Sequence, residues 1–220
     1  MKAKLGLAVA GVCLATLLAF LSSPAQAGGS KGTVLVINAN SNDVTLINPK
    51  KREVITEVRV GNHPIKLVVD NKNRFAFVIN QGSDDLSIIN LKTLTVLDVP
   101  LGFEPRDIAA TPKGDKLVIL HANPEQASGG EAFKGDYSIY DVKKGELVTN
   151  FLNGTSATGN PDVCAVAADS NGDLVWITAC VSDEVVVIDL KKAMNGDSGD
   201  EVKTVLPTGA NPAFIAISTK

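Results

Sequence analysis

GTVLVINANSNDVTLIN, Gly32 to Asn48, and RFAFVINQGSDDLSIIN, Arg74 to Asn90, are two versions of one pattern, and that repetition decides the fold. In each, a short β-rich run closes on an Asn, Asn38 or Asn80. A Ser follows three residues later, a second apolar run opens three residues after that, and another Asn stands four residues beyond, at Asn48 or Asn90. Two further copies follow the pattern, one of them with the same offsets. LVWITA ends at Ala179, with Ser182, Val185 and Asp189 at the same steps, and LVILH ends at His121 and is completed by YSIYD, Tyr137 to Asp141, after an insertion. Such self-similarity at a fixed period is the mark of a repeat architecture.

Each unit has a further strand in front, led in by GNHP at Gly61, GFEP at Gly102 or GANP at Gly209 and continuing as IKLVVD, RDIAAT or AFIAIS. The turns DNKN, TPKG and DSNG join it to the next strand, with Asn or Gly available for positive φ. A last strand follows the Asn/Asp position: EVITEVRV, LTVLDV, ELVTNFL and EVKTVLP. Four short strands per unit predict an all-β chain, a β-propeller of four-stranded antiparallel blades. Each blade must bury both faces against its neighbours, so repeated packing imposes repeated sequence. Leu67, Ile108, Val166 and Ile215 share one site of the first strand; Val68, Ala109, Ala167 and Ala216 share the next, small where sheets approach closely.

Three units are complete. The segment NPAFIAIS supplies a first strand, and the stretch from Thr33 supplies the other three, which predicts four blades with ring closure by N- and C-terminal strands. A monomeric ring and a strand-exchanged homodimer both satisfy that arithmetic, because an unmatched edge invites pairing between chains; an incomplete array, one fragment of a longer ancestor, is the third reading.

Lys2 and Lys4 precede an apolar run from Leu5 to Leu21, and SPAQA ends at Ala27 with a small-x-small pattern. Residues 1–27 therefore read as a cleavable signal peptide and 28–220 as the propeller domain, secreted or periplasmic with no membrane span in the mature chain. Removing Lys2 and Lys4 from a formal charge of −3 leaves −5, a balance that argues against nucleic acid as a partner. Cys164 and Cys180 lie on consecutive strands, equidistant from Gly172 in the turn between them, and an even pair in an exported chain is a candidate disulfide; two buried thiols are the alternative.

The loops between second and third strands and the lead-ins to each blade share one face. The insertion Ala122–Asp136 and the long connection Asn153–Asp162 both fall there. Candidate ligand-binding residues on it are His121, His63, Asn38, Asn80, Glu104, Arg106, Asp107 and Asp162. His121 stands out because it replaces the Asn of two other units; a histidine that simply bonds to the loop in the Asn's stead is the competing reading. No metal-ligand spacing, haem-attachment motif, phosphate loop or dinucleotide fingerprint occurs, so no metal and no cofactor is expected. GTSATG lacks the second Gly of a nucleophile elbow and joins strands instead of a strand and a helix.

The pattern Pro-x-x-Ile-Ala, (Pro/Asp)-x-Gly, Val-x-Asn and Val-x-Ile-Asp resembles the YVTN repeat of secreted and cell-surface bacterial propellers, which is related in pattern to the propeller lactonases. The unit from Thr158 to Pro207 departs from it, with its Pro shifted in TGNPD and no closing Asn. The resemblance implies two functions. One is a non-enzymatic binding, interaction or scaffold module whose loop face meets a protein or glycan of the cell envelope. The other is a lactonase-like hydrolase with its site at the channel mouth. Candidates scattered over several blades favour the first.

Overall fold

In the computed structural model the described residues are 32–121, 137–150, 163–195 and 201–218. They form four antiparallel sheets in chain order. The first holds β1 (Val34–Asn38), β2 (Asp43–Asn48) and β3 (Glu53–Arg59). The second holds β4 (Pro64–Val69), β5 (Phe75–Asn80), β6 (Asp85–Asn90) and β7 (Val96–Pro100). The third holds β8 (Pro105–Ala110), β9 (Lys116–His121), β10 (Tyr137–Asp141) and β11 (Glu146–Asn150). The fourth holds β12 (Val163–Ala168), β13 (Leu174–Ala179), β14 (Glu184–Asp189) and β15 (Val202–Pro207), with the one-turn helix α1 (Leu190–Met194) between β14 and β15. The all-β architecture of blade-like sheets is the one the repeat predicts, and YSIYD takes its place as the third strand of its sheet.

Alternation within each strand stacks the sheets. Neighbouring side chains on a strand point to opposite faces. On β5, Phe77 therefore packs against the third sheet, in a cluster with Ile108 and Ile119, while Val78 packs against the first, with Val44 and Leu46. On β9, Val118 joins the fourth sheet's Val175 and Ile177. Three apolar seams result, each between consecutive sheets.

Local chemistry recurs at each corner. Asn48, Asn90, Asp141 and Asp189 close the third strands, and the side-chain oxygen of each accepts from the backbone N–H groups two and three residues on, at 2.9–3.2 Å. These are Asx turns, the reason Asn or Asp is needed at that offset. In the turns after the first strands, Asn73, Gly114 and Gly172 take φ of 53°, 62° and 75°, the left-handed conformation that the turn sequences anticipate. In two of these turns a buried or half-buried aspartate caps the hairpin: Asp70 accepts from Phe75 N–H at 3.0 Å, and Asp169 from Leu174 N–H at 3.1 Å.

Two expectations are corrected or refined. The first sheet has three strands, and residues 211–218 form no ladder with β1. The described residues show no apolar seam joining the fourth sheet to the first, so β1 is not brought beside that segment. The disulfide between Cys164 and Cys180 is present, with Cα atoms 6.1 Å apart. It forms through a bulge, not through simple opposition: the ladder pairs Val163 with Ala179 and then Ala165 with Thr178, leaving Cys164 as the extra residue. β4 and β8 carry the same irregularity at Ile65 and Arg106, so Cys164 occupies a position the repeat already frees from the ladder.

Candidate functional site

The second-strand ends gather on one face, where they build brackets. Asn38 Nδ2 donates to Asp43 Oδ1 at 2.6 Å and to Thr45 Oγ1 at 2.7 Å. Asn80 Nδ2 donates to Asp85 Oδ1 at 2.6 Å and to Ser87 Oγ at 2.8 Å. Each amide thus ties its strand to the next across a hairpin. The Asn38 amide, with Ser41 beside it, holds the Asp43 carboxyl below the usual carboxylate range. Ser87 also accepts from Gly61 N–H at 3.1 Å, which locks the lead-in turn to the bracket.

His121 fills the same place in the third sheet. Its Nδ1 lies 2.9 Å from the Phe103 carbonyl and its Nε2 2.8 Å from Ser138 Oγ. A carbonyl only accepts, so Nδ1 carries the proton and Nε2 accepts from the serine hydroxyl. The side chain is buried, which pushes its pKa down to about 4 against the smaller upward pull of the Phe103 carbonyl. At neutral pH the imidazole is uncharged and bonded on both sides.

Asp107 is the other buried group, 3% exposed on β8. One carboxylate oxygen accepts from Val166 N–H of β12 at 3.0 Å, and the other from Ile108 N–H at 2.8 Å while paired with Lys66 of β4. A single carboxylate therefore joins the first strands of three successive sheets. Sequence reasoning placed Asp107 on the face but missed both Lys66 and this role; only its strand position, two residues after Pro105, hinted at it.

Around these groups the rim is more open. Glu104 Oε1 accepts from Gln81 Nε2 at 2.7 Å. Asp84 is near Glu104 and Asp85, and burial followed by those two negative charges raises its carboxyl. His63 is exposed, in the left-handed region at φ 50°, with its N–H on Asn42 Oδ1 at 2.8 Å. Arg106 is half-buried on β8, and Asp162 lies outside the described residues, as do Ala122–Asp136 and Asn153–Asp162 as a whole. Glu104 follows Phe103, the partner of His121, while His63 lies at the lead-in to β4, and no hydrogen bond joins the three side chains among the described residues. Among the described residues no group of three or more His, Cys, Asp or Glu side chains is arranged to hold a metal ion. A cleft of about 500 Å³ opens on the opposite face, between the third and fourth sheets, lined by Thr111, Lys116, Asp173, Lys191 and Met194 among others.

The chain is similar to the dihydro-heme d1 dehydrogenase NirN in complex with DHE, with a TM-score of 0.60 and 14% identity, covering 87% of this chain and 37% of that one. It is also similar to a functionally unknown protein from Desulfotomaculum acetoxidans, with a TM-score of 0.56 and 12% identity over 81% of this chain and 50% of that one. The hydrazine synthase of Kuenenia stuttgartiensis aligns with 83% of this chain and 73% of its own, at a TM-score of 0.46 and 16% identity. The likeness is one of fold. The chain spans about a third to a half of the first two proteins' length. No protein-family model matches the sequence, and no curated protein matches it.

Proposed function

We propose that this chain is an exported, non-enzymatic propeller module that binds a protein or glycan of the cell envelope through the face bearing the second-strand ends. The observation that carries the reading is the commitment of that face's buried polar groups to the fold itself. His121 is bonded on both ring nitrogens, Asp107 spans three strands, and Asn38 and Asn80 are brackets. General acid–base catalysis needs a titrating group free to reach a substrate proton, with a pKa near the working pH. A neutral imidazole held near 4 does not meet that need. What remains for a partner is the rim: the acidic group of Glu104 and Asp84, with Gln81 and the exposed His63 beside it. A partner presenting hydrogen-bond donors or cationic groups suits that rim.

Export rests on the leader and is supported by the disulfide, since such bonds persist in oxidising compartments. Among the described residues no helix is long and apolar enough to cross a membrane. The finer kinship with YVTN-repeat propellers rests on the repeat motifs.

The test uses the mature protein against purified peptidoglycan and detergent-solubilised envelope proteins, alongside a panel of lactones. Saturable binding that falls at least fivefold in Glu104→Gln/Asp84→Asn, with unchanged melting, supports the reading. Lactone turnover that disappears in His121→Asn would replace it with the hydrolase.

A further inference from the structure

Three observations on the two outer sheets point to the same missing neighbour. The first is that apolar side chains on both outer faces are exposed. Val34 and Val36 of β1 occupy the positions of Ala76 and Val78 on β5, which face the preceding sheet and are fully buried; here they are 46% and 39% exposed. On the fourth sheet, Leu206 corresponds to Val58 and Val99, which face the following sheet, and it is 41% exposed. Trp176, in the place of Phe77, is only half-buried.

The second observation is that residues 211–218 are aimed as a first strand with no sheet to join. Asn211 has φ 54° and donates its N–H to Asp183 Oδ1 at 2.7 Å. His63, which launches β4, has φ 50° and donates to Asn42 Oδ1 at 2.8 Å. The turn is therefore already set in the conformation that starts a blade, yet Phe214 beyond it is 89% exposed. The third concerns Gly209. Its counterpart Gly61 sits tight against the bracket, where a Cβ would crowd Asp85, Ser83 and Asn80. Nothing lies within 4 Å of such an atom at Gly209. The glycine makes room for a bracket that the chain's own fourth sheet does not supply, while Asn38, Ser41 and Asp43 at the open first sheet are the matching set.

We propose that residues 211–218 of one copy form the missing fourth strand on β1 of a second copy, and that two copies joined twice in this way close a ring. The register follows from β4 on β5, where Leu67 pairs with Val78 and Val69 with Ala76. Ile215 then pairs with Val36 of the second copy and Ile217 with its Val34. The free edge of β1 gains a ladder, and the fourth sheet's Trp176 and Leu206 come to lie against the second copy's Val34 and Val36, as in the three internal seams. This is a head-to-tail contact that closes into a two-fold ring. Two four-sheet arcs make a ring at the top of the roughly four-to-eight-blade range.

The mature protein should run at twice its chain mass by light scattering at micromolar concentration. Val34→Cys/Ile217→Cys, oxidised, should give a covalent species of twice the chain mass on a non-reducing gel. A mixture of the two single variants, unfolded and refolded together, should give the same product. Gly209→Leu should shift the mass to that of one chain while retaining β-sheet circular dichroism. A native mass of one chain, or a double-cysteine variant that cross-links within one chain, would overturn the proposal in favour of self-closure or an open arc.

Discussion

His121 and Ser138 meet across β9 and β10, Nε2 to Oγ at 2.8 Å, in the place where Asn80 and Ser87 meet across β5 and β6 at the same distance. The repeat has exchanged an amide for an imidazole and kept the bracket. The exchange adds a pH dependence that the amide lacks.

With its pKa pushed down to about 4 when folded, against about 6.5 in the unfolded chain, His121 binds its proton more readily after unfolding. Its contribution to stability is fully present above about pH 6.5 and is lost as the pH falls toward 4, by about 3 kcal/mol in all. Urea unfolding at pH 7 and at pH 4.5 should show this loss, and His121→Asn should remove its share of the difference. An unchanged slope in the variant would mean that the imidazole is not held neutral.

Asp107→Ala should cost about 2 kcal/mol, since it leaves Val166 N–H without its acceptor and Lys66 without its partner. The local signature is faster hydrogen exchange at the Val166 amide. Protection as in the wild type would show that the three inner strands hold without the carboxylate.

Gly61→Ala tests close approach, because its Cβ would fall 2.6 Å from Asn80 Nδ2 and against Asp85 and Ser83. Overpacking of this kind costs about 1 to 3 kcal/mol. A melting temperature equal to wild type would show that the bracket yields easily.

For the Cys164–Cys180 bond, with a sequence separation of 16, Cys180→Ala should lower stability by about 3 kcal/mol in the chain-entropy account. Protein taken from the envelope and alkylated without reduction should resist modification at both thiols; two alkylated cysteines there would remove the bond from the native state.

The sequence by itself determined the blade. Asn and Asp at the third-strand ends act within two or three residues of their own positions, and the turn residues act through their own φ, so both are local and survive in any copy of the unit. The alternation of apolar side chains likewise specifies that each sheet has two faces to bury. The tertiary structure alone decided which groups are spent in holding that arrangement. Asp107 reaches Lys66 and Val166, far away in sequence, because stacking brings three first strands side by side. His121, a candidate by its departure from the repeat, turns out to be bonded to Phe103 and Ser138. Whether the chain's first-strand segment returns to its own first sheet was also beyond the sequence. That depends on the angle summed over three seams, each set by the side chains filling it, and no single repeat contains that sum.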